Sequence, residues 1–111
     1  MVKSSSVKRG DVVLVNLDPT VGKEIQKTRP CIVVSPDELN NYLQTFIVAP
    51  MTTGTHAYPF RISCRFQGKN GYVVLDQVRT VDKVRIVRTL GHLPTQTMSA
   101  TLNALQEMFA I

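Results

Sequence analysis

Tyr58-Pro59-Phe60-Arg61-Ile62-Ser63-Cys64-Arg65 is the stretch that decides the fold class. Tyr58, Phe60, Ile62 and Cys64 fall on one side of an extended chain, and Arg61, Ser63 and Arg65 on the other. That alternation is the mark of a half-buried strand. Gln67-Gly68-Lys69-Asn70-Gly71 then supplies hairpin-turn chemistry, and residues 72–75 return as a second strand. Upstream, residues 11–16, 31–35 and 45–49 are short runs rich in β-branched side chains, which suit a packed, pleated surface. Pro50 is expected to end the last of these. Pro36, Asp37 and Glu38 predict one short helical turn within 36–42, with the carboxylates at its positive end. Residues 76–83 read as a charged connection, and 84–93 as an interrupted strand with Gly91 near its close.

The final segment has a different period. Met98, Leu102, Leu105 and Phe109 recur at helical spacing, and Pro94-Thr95 opens the helix with Thr95 as expected N-cap. Glu107 is its one charged residue. So lightly charged a helix is expected to bury more than one face, against the sheet or a second subunit. Short strands with turn signals and one terminal helix predict a mainly β fold of α+β type, a twisted barrel-like sheet of antiparallel strands carrying a C-terminal helix.

With 111 residues the chain has room for one domain, expected over 7–111, behind a flexible serine-bearing tail at 1–6. Hydrophobic residues at 43% against 19% charged exclude a wholly disordered chain. The longest aliphatic runs, such as Val12-Val13-Leu14-Val15, fall far short of the roughly 18 residues of a membrane span. No apolar secretory segment follows Lys3, so a cytoplasmic protein is expected. Cys31 and Cys64 lie in separate apolar runs and read as buried free thiols. His56 and His92 share no ligand spacing with them, so no metal and no cofactor are expected. Thirteen Lys and Arg against eight Asp and Glu give a net charge of +5, which points to a polyanionic partner such as nucleic acid.

Two loops could carry chemistry. The polar stretch 22–28 delivers Glu24, Lys27 and, at its exit before Pro30, Arg29; the stretch 51–55 delivers Thr52 and Thr53. Antiparallel pairing of the second and third strands would bring Arg29 and Thr52 to one pocket. RNA carries its own nucleophile, the 2′-hydroxyl. Its attack on the adjacent phosphate builds charge that a planar guanidinium can hold, while a threonine hydroxyl donates to the same oxygens. Neither residue is a useful base, so orientation and electrostatics would supply most of the acceleration. Taken singly, each residue has a plainer reading: Arg29 as a solvated charge, Thr52-Thr53 as a turn, Glu24 as the partner of a loop amide or cation. Tyr58 and Phe60 could stack a base, but their place on the alternating face favours core packing.

The blocks acquire meaning in order. Lys8-Arg9-Gly10-Asp11-Val12, Asp18-Pro19-Thr20-Val21-Gly22-Lys23-Glu24, Thr28-Arg29-Pro30, Ile47-Val48-Ala49-Pro50-Met51-Thr52-Thr53 and Asp76-Gln77-Val78-Arg79-Thr80-Val81-Asp82 together resemble the MazF/PemK family of toxin endoribonucleases, as does Gly91-His92-Leu93-Pro94 before a helix. The resemblance implies an SH3-like barrel of the CcdB/MazF toxin type and a homodimer. It implies metal-independent, sequence-specific cleavage of single-stranded RNA to 2′,3′-cyclic phosphate and 5′-hydroxyl ends, and inhibition by a cognate antitoxin. On the matching motifs, Arg29 and Thr52 are the implied catalytic residues. Glu24, Thr53, Asp76 and Gln77 match motif positions that shape or line the site, and Lys23, Lys27, Arg79 and, past the Thr-Thr loop, His56 stand beside them as candidates to contact RNA. The sequence departs from the family pattern at Ile25, where many members have Gln, and at Lys27, in a stretch that usually carries glycine. In the PemK branch a histidine and an arginine join the mechanism at positions held here by Lys23 and Val74. Two other functions stand beside the ribonuclease: a non-enzymatic CcdB-like toxin that binds a protein such as gyrase, and a plain SH3-like binding module.

Overall fold

Of the expected strands, residues 11–16 form as read: β1 spans Asp11–Asn16. The computed structural model describes residues 7–54 and 57–111, so the expectations for the serine tail and for His56 lie outside the described residues. After β1 come β2 (Thr28–Val33), helix α1 (Asp37–Asn40), β3 (Thr45–Thr53), β4 (Arg61–Phe66), β5 (Lys69–Val74), β6 (Arg79–Asp82), β7 (Ile86–His92) and helix α2 (Thr95–Met108). All the strand pairings are antiparallel, in the order β4-β5-β3-β2-β1-β7, with β6 also paired to β3. The two ends of this path meet at Gly91, where an added Cβ would lie 3.4 Å from the Phe66 ring. The result is a curled, mostly β structure with a C-terminal helix, as expected.

The unbroken aliphatic runs of β1 and β2 follow from burial on both faces. Val13 and Val15 pack with Cys31, Val33, Phe46 and Val48 in one cluster. Val12 packs with Ile32, Ala49, Val73 and Met98 in another, which α2 covers through Leu102 and Leu105. Each fully buried Val or Ile contributes roughly 1.5–3 kcal/mol of transfer free energy. Within the chain the helix buries one face against the sheet, and Gln96, Ser99, Asn103 and Gln106 are exposed. Its outer face carries these uncharged polar side chains and the exposed Glu107, so a low charge count overstated its apolar width.

Several boundaries move for identifiable reasons. Strand β3 runs through Pro50 to Thr53 instead of stopping. The Ile47 carbonyl accepts from Val34 N at 2.9 Å on the β2 side. By alternation the nitrogen of Pro50 faces the other side, between β6, which pairs as far as Val48, and β5, which begins at Met51. Strand β4 starts at Arg61, not Tyr58. Arg61 N donates to the Tyr58 carbonyl at 3.2 Å, and Phe60 has φ +62°. This is a tight turn with Pro59 and a left-handed residue at its centre, so Tyr58 and Phe60 are exposed instead of core. The hairpin turn contracts to Gln67-Gly68, leaving Lys69, Asn70 and Gly71 within β5. The connection after Asp76 contains β6. Pro94 caps α2 from an extended conformation, its carbonyl accepting from Met98 N at 3.0 Å, and Thr95 is the first helical residue rather than the cap.

Candidate active site

Arg29 and Thr52 are strand residues, not loop residues. The β2–β3 register pairs Cys31 with Pro50 and Ile32 with Ala49. Extending it by two residues sets Arg29 across from Thr52. Both line one cavity of about 320 Å³, together with Thr53. The Arg29 Nε donates to the Gln26 carbonyl at 3.2 Å, which steers the guanidinium and leaves its terminal nitrogens outside that bond. Thr52 is in turn paired with Tyr72 on β5. The neighbouring Gly71 is required there, because a Cβ on it would overlap the Thr52 carbonyl oxygen. No carboxylate lines this cavity among the described residues; its charged members are Arg29 and Lys69. Such a site favours an anion.

A second, larger cavity of about 720 Å³ collects Lys23, Glu24, Asp76, Gln77 and Arg79. Pro50 lines it, while Met51 and Thr52 line the smaller one, so the two cavities lie against consecutive residues of β3. The expected site residues are therefore divided between two chambers rather than gathered in one. Lys27 lines neither; it is exposed at φ +70° near the end of the loop.

Most polar groups of the larger cavity hold the 17–27 loop in shape. Gln77 Oε1 accepts from Ile25 N at 2.6 Å, and its Nε2 donates to the Lys23 carbonyl at 3.4 Å. Arg79 donates to the Leu17 carbonyl at 3.1 Å. Glu24 accepts from Val21 N at 2.7 Å, the loop-amide role its sequence position predicted. Asp18 accepts from Lys27 N at 3.1 Å, and Arg85 donates to the carbonyls of Asn16 and Asp18.

Asp76 is an ion-paired carboxylate. Arg61 grips it with two hydrogen bonds of 3.0 Å, the only ion pair among the described residues. The guanidinium also lies 4.7 Å from the Tyr58 ring centre. These hydrogen bonds hold the Asp76 carboxyl below the ordinary range, so it stays ionised and is a weak proton acceptor. Burial pushes the Cys31 thiol up to about 12, against a smaller opposing influence of Arg79. Cys64, half-buried in the small cavity, is also raised by burial. Among the described residues no three His, Cys, Asp or Glu side chains converge to hold a metal.

Sequence reasoning missed two contributors. Arg61 was placed only as the polar face of a strand, although it stands opposite Val74 in the β4–β5 register. The β4–β5 hairpin was read as a bare turn, yet Phe66, Gln67, Lys69 and Asn70 wall the Arg29 cavity. No local signal marks either, because both depend on which strands pair.

An antiparallel barrel-like sheet with a cationic, hydroxyl-bearing cavity between paired strands defines a small β protein built to receive an anion such as a phosphate group. The sequence matches, over residues 8–109, the family described as PemK-like, MazF-like toxin of type II toxin-antitoxin system, and the chain belongs to that family. It is 36% identical over 109 aligned residues to endoribonuclease PemK of Escherichia coli, covering 93% of this chain and 82% of that protein. It is 32% identical over 111 aligned residues to endoribonuclease EndoA of Bacillus subtilis, covering 95% and 96%. The crystal structure of MazF from Deinococcus radiodurans superposes with a TM-score of 0.83 at 25% identity, over 95% of this chain and 97% of that one. The chain is a toxin endoribonuclease by class, and the protein-binding CcdB-like alternative finds no support among these relatives. No described helix is long and apolar enough to cross a membrane.

Proposed function

We propose that residues 7–111 act as one domain that cuts single-stranded RNA at chosen sequences, without a metal, using Arg29 and Thr52. The observation that carries this is their convergence from paired strands on a cavity lined by no described carboxylate. The substrate's 2′-oxygen attacks phosphorus and the P–O5′ bond breaks. The 2′-hydroxyl proton is lost and the leaving 5′-oxygen gains one. The ends are a 2′,3′-cyclic phosphate and a 5′-hydroxyl. In-line attack needs the 2′-oxygen opposite the leaving group, a geometry open to an unpaired strand and withheld by a stacked duplex. Arg29 holds the charge that grows on the non-bridging oxygens, and Thr52 donates to the same group or orients the 2′-hydroxyl. The neighbouring chamber, with Lys23 and Arg79, receives flanking phosphates, while Glu24, Gln77 and Asp76 fix its walls.

Partners follow from the same reading. A structural neighbour at 26% identity and TM-score 0.76 is a MazE–MazF complex from Deinococcus radiodurans. By that likeness this chain binds a cognate antitoxin; that it acts as a homodimer and works in the cytoplasm belongs to the same proposal and rests on the family. The test is incubation of long single-stranded RNA in EDTA with the wild type and Arg29→Ala, followed by mapping of the ends. Discrete cuts with cyclic-phosphate ends, present in EDTA and reduced by about 10²–10³ in the variant, support the assignment. Equal cutting by the variant removes Arg29 from it, and wild-type cuts that require a divalent ion overturn the metal-independent route.

A further inference from the structure

The β4–β5 hairpin reaches the site from outside the strands that carry Arg29 and Thr52, and its side chains have no place in the reaction just described. Gln67, Lys69 and Asn70 are exposed, yet all three line the Arg29 cavity. The hairpin is held firmly. Gln67 and Gly68 both have positive φ, +50° and +76°, the backbone of a two-residue turn whose twist matches its strands. The pairings Phe66 with Lys69 and Arg65 with Asn70 fix the register at the tip. One residue further, Gly71 is pressed on the Thr52 carbonyl with no space for a side chain. The tip is thereby set at a fixed offset from Thr52.

Asn70 has a defined polarity. Its Oδ1 accepts from Arg65 at 3.3 Å. Arginine only donates, so the amide oxygen must be the atom facing Arg65, and Nδ2 is left with two donors. An amide with both atoms free reads adenine through N6 and N7. Here Arg65 takes one of the two lone pairs on the oxygen and turns that atom towards itself, so Nδ2 is the group left wholly free, and it suits a base edge that presents acceptors: O6 and N7 of guanine, or O4 of uracil.

We propose that Asn70 is a specificity-determining residue, donating through Nδ2 to an acceptor-bearing base, guanine or uracil, at one position beside the cut. Lys69 supplies charge for an adjacent phosphate, and Gln67 forms the outer wall. The inference rests on the endoribonuclease reading.

The experiment is cleavage of a randomised single-stranded RNA library by the wild type, Asn70→Asp and Asn70→Ala, with all cut sites sequenced. Thermal unfolding of each protein checks that the exposed substitutions leave the fold intact. The wild type should favour G or U at one position. Asn70→Asp replaces a donor with an acceptor and should move that position towards A or C by about tenfold or more, while Asn70→Ala flattens it. Preferences elsewhere should stay in place. Wild-type cutting with the same base preference in both variants overturns this inference and leaves the endoribonuclease reading standing. A wild type that cuts nothing in the library overturns both.

Discussion

At Arg29 one nitrogen is held by a backbone carbonyl and the rest of a permanent charge is left for a ligand. Such a group is tuned for geometry as much as for charge. Arg29→Lys keeps the charge and loses the planar fork, so cleavage should fall by about 10- to 100-fold, between the wild type and Arg29→Ala. The melting temperature of either variant should stay within about 2 °C, since a half-exposed strand-end charge contributes little stability. Arg61 and Asp76 make a different pair. Asp76 titrates below its ordinary value of 3.8 because Arg61 donates to it, so the pair survives as pH falls through that value and is lost only below it. Arg61→Ala should return the Asp76 pKa towards 3.8, readable by a carboxyl-carbon NMR titration. Cys31 works at the other end of the scale. Its thiol rises from 9.0 to about 12 on burial, so the neutral form is favoured by folding. The stability it contributes is present below pH 9.0 and is lost as pH rises towards 12. The slope is up to about 1.4 kcal/mol per pH unit. Denaturant titrations across that window should show the decline, and Cys31→Ala should flatten it.

Among the elements, β3 matters most, because β2, β5 and β6 all pair with it. On the β5 side Thr53 pairs with Gly71. A methyl there would overlap the Thr52 carbonyl, so Gly71→Ala should destabilise by about 3 kcal/mol or more, seen as a lower urea midpoint. The 17–27 loop depends instead on Gln77. Gln77→Ala leaves the Ile25 amide without its 2.6 Å partner. That should cost about 1–2 kcal/mol and speed hydrogen exchange at Ile25. The helical period of α2 and the β-branched run of β1 were legible in sequence because each is a local pattern. Continuation of β3 through Pro50 was not, because it depends on a gap between β5 and β6. Pro59 was the overlooked signal at β4: a proline inside an alternating run marks a turn, and Tyr58 and Phe60 left the core with it.

For the whole molecule, the net charge of +5 has a measurable consequence. If Arg29, Lys69, Lys23 and Arg79 each meet a phosphate, RNA affinity should fall with a log–log salt slope of about −0.7 per contact. Filter binding of uncleavable RNA between low and physiological salt reads that slope. The pairing of β2 with β3 places Arg29 and Thr52 on one cavity, a proximity that antiparallel pairing made legible in the sequence. The division into two chambers was not legible. It depends on Gln77 drawing the loop onto the turn at Leu75–Gln77, a bond between residues far apart in sequence.

Because Arg29 and Thr52 are borne by paired strands, their spacing does not depend on how many residues the 17–27 loop contains. That loop and the β4–β5 tip can be exchanged like interchangeable jaws around a fixed anvil. On the proposed site, a lineage of such toxins would change its target word in these segments and keep its cutting chemistry only where the Gln26 carbonyl that steers Arg29 and the Gln77 bond to Ile25 are retained. An engineer can follow the same route, transplanting the loop and the tip between relatives to programme a new cleavage sequence.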